Sequence, residues 1–293
     1  MRGIGEMSPG RYLARALVVL LGAGMSACES TPNVLRVATT TSVENSGLLA
    51  AILPEYERRA RVRVEVLAVG SGQALNLLER GDVTVGLTHD PAAEASALAA
   101  GIITNYRKIM FNDFIIVGPP DDPAGVAHAS DTADAFVRIA TRGALFVSRG
   151  DASGTSSREQ DLWRLAKQRP AGGHLLETGQ GMGGTLRVAG ERSAYTLTDR
   201  ATFERFRSGL RLVSLYEGGP DLLNTYAIFV RTAATGAERE AATALTDWFA
   251  NAEGRQLVAD FVANGHAVFR VWPAGTPRSQ PTDVPPVQLV NAR

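Results

Sequence analysis

A turn that follows the apolar segment 144–148 carries the side chains best suited to binding chemistry. Arg149 offers a planar, always-charged fork of N–H donors, and Ser153 and Thr155 offer hydroxyl groups. A helix is predicted to begin directly after this turn, and a helix start carries unpaired N–H groups and a partial positive charge. Gly154 lets the backbone approach a ligand closely. The turn indicates anion binding, although an ordinary helix cap beside a surface arginine would use the same residue types.

Two further turns of the same kind lie in the N-terminal third of the chain. The strand pattern at 33–38 runs into 39–42, and the alternating strand pattern at 62–69 runs into 70–72. In each case Ser, Thr or Gly separates a strand from a helix, and ligands of open α/β sheets bind where strands end and helices begin. If two lobes face each other, all three turns direct hydroxyls and backbone N–H groups into one cleft. A small, fully deprotonated oxyanion is the ligand that suits such donors.

The composition excludes several classes of function. The chain has 293 residues, 45% hydrophobic and 20% charged, which suffices for one large domain or two lobes. The formal net charge is zero, so nucleic acid is not an implied partner. Cys28 is the single cysteine, so no intrachain disulfide can form. No metal site or cofactor is expected, because none of the four histidines has the spacing of a zinc motif: His89, His128, His174 and His266.

The N-terminus has the pattern of an export signal. Three arginines precede an apolar run at 16–23 that is too short for a membrane anchor. The small residues before Cys28 resemble the lipobox of bacterial lipoproteins, with Met25 in place of the usual leucine. Residues 1–27 are therefore predicted to be a signal peptide, and a lipid on Cys28 would hold the protein at the outer face of the cytoplasmic membrane. Ordinary signal cleavage, which would release a periplasmic protein, is the alternative.

Alternating strand and helix patterns in the first hundred residues predict a parallel sheet with helices on its faces. The helix over 43–59 is expected to take its cap from 41–42 and to be irregular at Pro54. Asp90 is expected to cap the helix that follows the third strand, with Glu94 in the capping-box position. Two other polar residues lie near the turns. His89 is interpreted as a loop or packing residue and Asp199 as a structural residue.

The whole chain is predicted to form a two-lobed α/β protein, each lobe a mainly parallel sheet flanked by helices. The strand patterns at 211–216 and 226–230 are interpreted as the return to the first lobe. The predicted divisions are a linker at 28–33, a first lobe at 34–117 plus 217–272, a second lobe at 118–216 and a proline-rich tail, extended or disordered, at 273–293.

Segments throughout the chain resemble the tungstate-binding proteins of ABC importers, which have the type II periplasmic-binding-protein fold. The resemblance runs from about Leu35 to Phe269. It rests on the segments 39–42, 45–49, 68–75, 89–94, 112–114, 149–155, 177–183 and 195–200. It implies eight ligand contacts, without deciding which first-turn threonine faces the ligand: Thr40, Thr41, Ser42, Ser71, Arg149, Ser153, Gly154 and Thr155.

The resemblance also implies a function and partners. A protein of this kind captures tungstate outside the cytoplasm as a monomer and delivers it to an ABC permease and its ATPase. The turn at Arg149 also looks like the one in phosphate-binding proteins, so molybdate, phosphate, sulfate and vanadate stay alternatives. Ser156 departs from the histidine that relatives often have there, which bears on fine selectivity.

Two other classes of function are open from the sequence. An exported phosphate-ester hydrolase would need a nucleophile beside a base, or a metal, and the turns do not suggest either. A sensory receptor for a membrane kinase would use the same binding lobes, and the sequence does not separate it from a transport receptor.

Overall fold

Two β-sheets that share one long strand organise residues 33–286, apart from Ala152, which is the part of the chain that the computed structural model describes. The predicted signal peptide at 1–27, Cys28 with its predicted lipid, and the last residues of the tail lie outside this part. Within it, no helix has the length and apolar character needed to cross a membrane.

The elements follow one another in three groups. The first group comprises β1 Asn33–Thr40, α1 Thr41–Ser46, α2 Leu48–Ala60, β2 Val62–Val69, α3 Ser71–Arg80, β3 Val85–Thr88, α4 Pro91–Ala99 and β4 Ile103–Gly118. The second comprises α5 Thr132–Thr141, β5 Phe146–Ser148, α6 Gly154–Ala166, β6 Leu175–Glu177, α7 Met182–Glu191, β7 Thr196–Asp199, α8 Arg200–Phe206 and β8 Val213–Glu217. The third comprises β9 Leu223–Arg231, α9 Gly236–Ala250, α10 Ala252–Asp260, β10 Val262–Ala263, β11 His266–Ala267 and β12 Arg270–Val271.

The first sheet has the strand order β2-β1-β3-β9-β4-β12. β1 pairs in parallel with β2 and with β3, as the alternating strand and helix patterns predict. β9, β4 and β12 extend this parallel core as antiparallel strands, so the complete sheet is mixed. The apolar faces of α2, α9 and α10 cover the sheet and form its largest core with inward-facing residues of β1, β3 and β9.

The shared strand β4 joins the two lobes. Its first part, to Asp113, pairs with β9, and its last part, from Phe114, pairs with β7 and β8 of the second lobe. The interpretation of 211–216 as a return to the first lobe is therefore wrong, because β8 pairs with the second-lobe end of β4. The interpretation of 226–230 as a return to the first lobe is right, since β9 lies between β3 and β4. A pattern of apolar residues specifies a strand but not its neighbour.

The first helical region differs from the prediction in its N-cap residue and in the position of its irregularity. Thr40, rather than 41–42, is the N-cap, and its side-chain oxygen accepts the N–H of Val43 at 3.2 Å. The irregularity lies at Gly47, where φ is 81°, and α2 continues through Pro54. A left-handed conformation ends a helix readily at glycine, which explains why the break falls there.

The proline-rich segment after β12 contacts the first lobe as an extended arm. The Lys108 N–H donates to the carbonyl of Arg278 at 2.8 Å. Trp272, at the start of the arm, is completely buried, and its indole N–H donates to the carbonyl of Pro277 at 3.0 Å. The described part of the arm has neither helix nor strand, and the arm is fixed by Trp272 and by its backbone hydrogen bonds.

We expect Trp272→Ala to lower the free energy of unfolding by about 3–5 kcal/mol, because it removes a large buried side chain and leaves a cavity. Urea denaturation followed by circular dichroism measures the change. Val284→Ala is the control, since Val284 belongs to the same arm but is 60% exposed. Equal midpoints for the two variants would show that the arm does not stabilise the lobe.

Candidate functional site

The carboxyl ends of three neighbouring strands meet at one edge of the first sheet. Thr40 lies beside Val69 across the β1–β2 pair, and Thr39 lies beside Leu87 across the β1–β3 pair. This register places the helix starts that follow the strands next to each other. Two hydroxyl-bearing turns predicted to bind an anion, at 40–42 and at Ser71, thus lie at the same edge.

The third predicted turn supplies the N-terminus of α6 from the second lobe. Ser153 is the N-cap, and its hydroxyl oxygen accepts the N–H of Ser156 at 3.1 Å. Gly154 and Thr155 are the first residues of the helix, and Ser153 and Thr155 are both completely buried. A capped helix start presents its remaining N–H groups and its positive dipole end to whatever lies in front of it.

Arg149 joins the second lobe to the first. Its side chain is 1% exposed. Its Nη1 donates to the Ser42 hydroxyl and its Nη2 to the Thr41 hydroxyl, each at 3.3 Å. These contacts bring two of the predicted turns together, and the cleft between the lobes is closed at this point.

The backbone around Arg149 is held by the turn that follows β6. The N–H of Thr178 donates to the Ser148 carbonyl at 3.0 Å, and the N–H of Gly179 donates to the Arg149 carbonyl at 2.8 Å. Gly150 has φ of 60°, and a Cβ there would lie 2.9 Å from the Cβ of Glu177. Glycine is therefore required at 150 by both conformation and space.

Three buried donors of the predicted site have no hydrogen-bond partner among the described residues. They are the hydroxyl oxygens of Ser71 and Thr155 and the Nε of Arg149. They come from the start of α3, the start of α6 and the residue that follows β5. An unsatisfied buried donor costs about 1–3 kcal/mol, so a ligand that accepts from all three is favoured.

The other predicted contacts already have partners within the protein. Thr40 caps α1, and its hydroxyl hydrogen is still available because a hydroxyl both accepts and donates. Thr41 and Ser42 accept from Arg149, and Ser153 donates to Asp151 at 2.5 Å.

Comparison with known proteins identifies the family. A model described as a PBP superfamily domain matches residues 26–253. The tungstate-binding protein TupA of Peptoclostridium acidaminophilum is 35% identical over 229 residues, which are 77% of this chain and 80% of that protein. The chain belongs to the TupA family.

Two solved structures agree with this assignment. The tungstate ABC transporter structure from Geobacter sulfurreducens has 43% identity and a TM-score of 0.72, and the match covers 78% of this chain and 98% of that one. The tungstate-binding protein TupA from Desulfovibrio alaskensis G20 has 36% identity and a TM-score of 0.70, with 82% and 98% covered. The predicted resemblance and the two-lobed type II fold are confirmed.

One site residue of this TupA-family chain has a role that was not predicted from the sequence. Asp151 accepts from Arg149 Nη2 with one carboxylate oxygen and from the Ser153 hydroxyl with the other, both at 2.5 Å. It thereby holds two predicted ligand contacts in place. Arg149 and Ser153 each lie two residues from Asp151. This spacing is a sequence signal for the role, since an aspartate in a turn commonly forms hydrogen bonds with its near neighbours.

Two titratable groups lie close to Arg149. Burial, and secondly the charge of Arg149, lowers the pKa of His89 to about 3, so this imidazole is neutral. Asp199 is completely buried as the N-cap of α8, and burial raises its pKa despite the nearby Arg149 charge. The interpretation of Asp199 as a structural residue agrees with its cap, a hydrogen bond of 2.9 Å from the N–H of Thr202.

Gly154 and Asp90 form another contact between the lobes. A Cβ at position 154 would lie 2.6 Å from the carbonyl oxygen of His89. Asp90 caps α4 as predicted, accepting from the N–H of Ala93 at 3.2 Å. Its second carboxylate oxygen accepts from the Ser157 hydroxyl of the other lobe at 2.9 Å. The closed arrangement thus needs a residue without a side chain at 154.

We expect Gly154→Ala to weaken anion binding by about 1–3 kcal/mol, or roughly fivefold to 150-fold, because the added methyl group obstructs closure. Isothermal titration calorimetry measures the affinity, and thermal unfolding of the unliganded protein shows whether its stability changes. Gly173→Ala is the control, since nothing lies within 4 Å of a Cβ at that position. Affinity unaffected by Gly154→Ala would mean that the lobes bind the anion without this close contact.

Proposed function

We propose that this protein is the extracytoplasmic substrate-binding protein of an ABC importer and that it captures tungstate between its lobes. The ligand would accept hydrogen bonds from the hydroxyls and backbone N–H groups of three turns and from Arg149. The chain would hand the anion to a permease and its ATPase. It would act in the periplasm or at the outer face of the membrane, held there by a lipid on Cys28 if the lipobox is used.

The observation that carries this proposal is the set of three unpartnered buried donors. Ser71, Arg149 and Thr155 come from both lobes, and they belong to the turns that the resemblance assigns to the ligand. A tetrahedral oxyanion accepts hydrogen bonds in several directions and donates none when it is fully deprotonated. It can therefore satisfy donors that approach from separate elements.

The energies are sufficient for tight binding. Hydrogen bonds to a charged group contribute about 1.5–3 kcal/mol each, so half a dozen supply roughly 10–20 kcal/mol before dehydration of the anion and ordering of the lobes are subtracted. Micromolar affinity needs only about −8 kcal/mol. The start of α6 adds a favourable dipole for the same anion.

Binding and release without bond cleavage is the role we propose, in agreement with relatives that are named as binding and transport proteins. A phosphate-ester hydrolase would turn over a chromogenic phosphate ester, whereas a binding protein would leave it intact. The proposed ligand is tungstate rather than phosphate because the relatives named above bind tungstate. Molybdate is its nearest competitor, since the two anions have the same shape and charge.

The proposal predicts a ranking in competition calorimetry. Tungstate should bind most tightly, molybdate should displace it at higher concentration, and sulfate and phosphate should compete weakly. Cavity size would separate tungstate and molybdate from the smaller sulfate and phosphate, because the donors fix a radius. Tungstate is ranked above molybdate because the relatives named above bind tungstate. A protein that prefers phosphate or sulfate would contradict the assignment of tungstate and leave the anion-binding role intact.

We expect Arg149→Ala to weaken tungstate binding by about 2–5 kcal/mol, at least roughly thirtyfold, because a buried charged donor is lost and Asp151 loses its partner. Calorimetry with the purified variant measures the loss. Arg142→Ala removes an exposed arginine of the same lobe and serves as the control. An unchanged affinity for Arg149→Ala would remove this residue from the site.

A further inference from the structure

A buried carboxyl group lies behind the turn that carries Arg149. Glu159 belongs to α6, five residues after Gly154, and is 2% exposed. One carboxyl oxygen accepts from the Ser148 hydroxyl at 2.9 Å, and the other accepts from the indole N–H of Trp163 at 3.3 Å. Glu159 is not one of the predicted anion contacts, because Ser148 and Trp163 bind its two carboxyl oxygens.

Ser148 connects Glu159 to the Arg149 backbone. The same Ser148 hydroxyl oxygen that donates to Glu159 accepts the N–H of Gly150 at 3.2 Å. Ser148 and Gly150 flank Arg149 in the chain, so the carboxyl fixes the backbone on both sides of the guanidinium-bearing residue. We propose that Glu159 is a positioning residue for Arg149 and that it takes up a proton when the anion binds. This inference rests on the proposed function.

The charges that face Glu159 leave its own charge weakly stabilised. Arg169 favours the ionised form and Glu177 disfavours it, and these two side chains form an ion pair with each other at 2.9 Å. Both are about half exposed, so solvent screens them. The neutral groups of Ser148 and Trp163 donate to the carboxyl. Burial is the largest effect, and it raises the pKa of Glu159 to about 7.

An anion at the start of α6 would change this balance. Five residues of helix span roughly 8 Å along the axis, and the interior between the two groups screens poorly. A dianion there repels the ionised carboxylate, whereas the protonated acid is neutral. The acid also keeps its carbonyl oxygen as an acceptor for Ser148, so protonation preserves the position of Arg149.

The sign of the pH dependence follows from this linkage. The complex holds more protons than the unliganded protein, so affinity falls as the pH rises through the pKa of the unliganded protein. With that pKa at about 7 and a higher one in the complex, we expect roughly fivefold to tenfold weaker tungstate binding at about pH 8.5 than at pH 7.

Calorimetry with sodium tungstate tests the inference on the mature protein. Titrations at neutral pH in buffers that differ in ionisation enthalpy measure the protons taken up, and Kd is followed to alkaline pH. Glu159→Gln keeps an acceptor for Ser148 and cannot titrate, so it should bind with nearly unchanged affinity at neutral pH and without proton uptake. Glu159→Leu loses the acceptor and should bind at least about tenfold more weakly.

Asp161→Asn is the matched control, because Asp161 is an exposed carboxylate of the same helix and its loss should leave proton uptake unchanged. Binding without proton uptake by the unsubstituted protein would overturn the inference, and this measurement needs no variant to fold. Proton uptake that persists in Glu159→Gln would also overturn it. Absence of tungstate binding at every pH would instead overturn the proposed function, and the proton measurement would then use the oxyanion that binds best.

Discussion

The burial of the Arg149 guanidinium between two lobes is the constraint on which the rest of the site depends. A buried cation is tolerated only when acceptors surround it, and here they come from both lobes: the hydroxyls of Thr41 and Ser42 and the carboxylate of Asp151. Each acceptor must be held in place by its own element. The Thr40 cap, the fixed turn around Gly150 and the Ser153 cap provide this support.

Much of this arrangement could be predicted from the sequence because it is local. A strand, a short run of Ser, Thr and Gly, and a helix with a capping residue are all determined by neighbours in the chain. Asp90 capping α4 and the strand at Val62–Val69 follow from such patterns. The convergence of the first two turns also follows, since parallel neighbouring strands end at the same edge.

The remaining features depend on contacts between residues far apart in the chain. The apolar run at 114–118 indicates a strand, but nothing in it shows that β4 passes from one sheet to the other. Gly154 looks like a residue that lets a ligand approach, whereas the structure adds that it allows the His89 backbone of the other lobe to approach. In the sequence, Glu159 looks like an ordinary helix residue, and only the structure shows its contact with Ser148.

The partners of Arg149 also bear on how such a site distinguishes anions. Asp151 already neutralises part of the guanidinium charge, and Nη1 and Nη2 are engaged by residues of the protein. The groups left for a ligand are then mostly neutral: hydroxyls and helix N–H groups. Neutral donors would hold a dianion by their direction and distance, because the field of a dipole decays faster with distance than that of a full charge. Under the proposed function, anions of equal charge would therefore be separated by size, and the fixed backbone of the three turns would determine which radius fits.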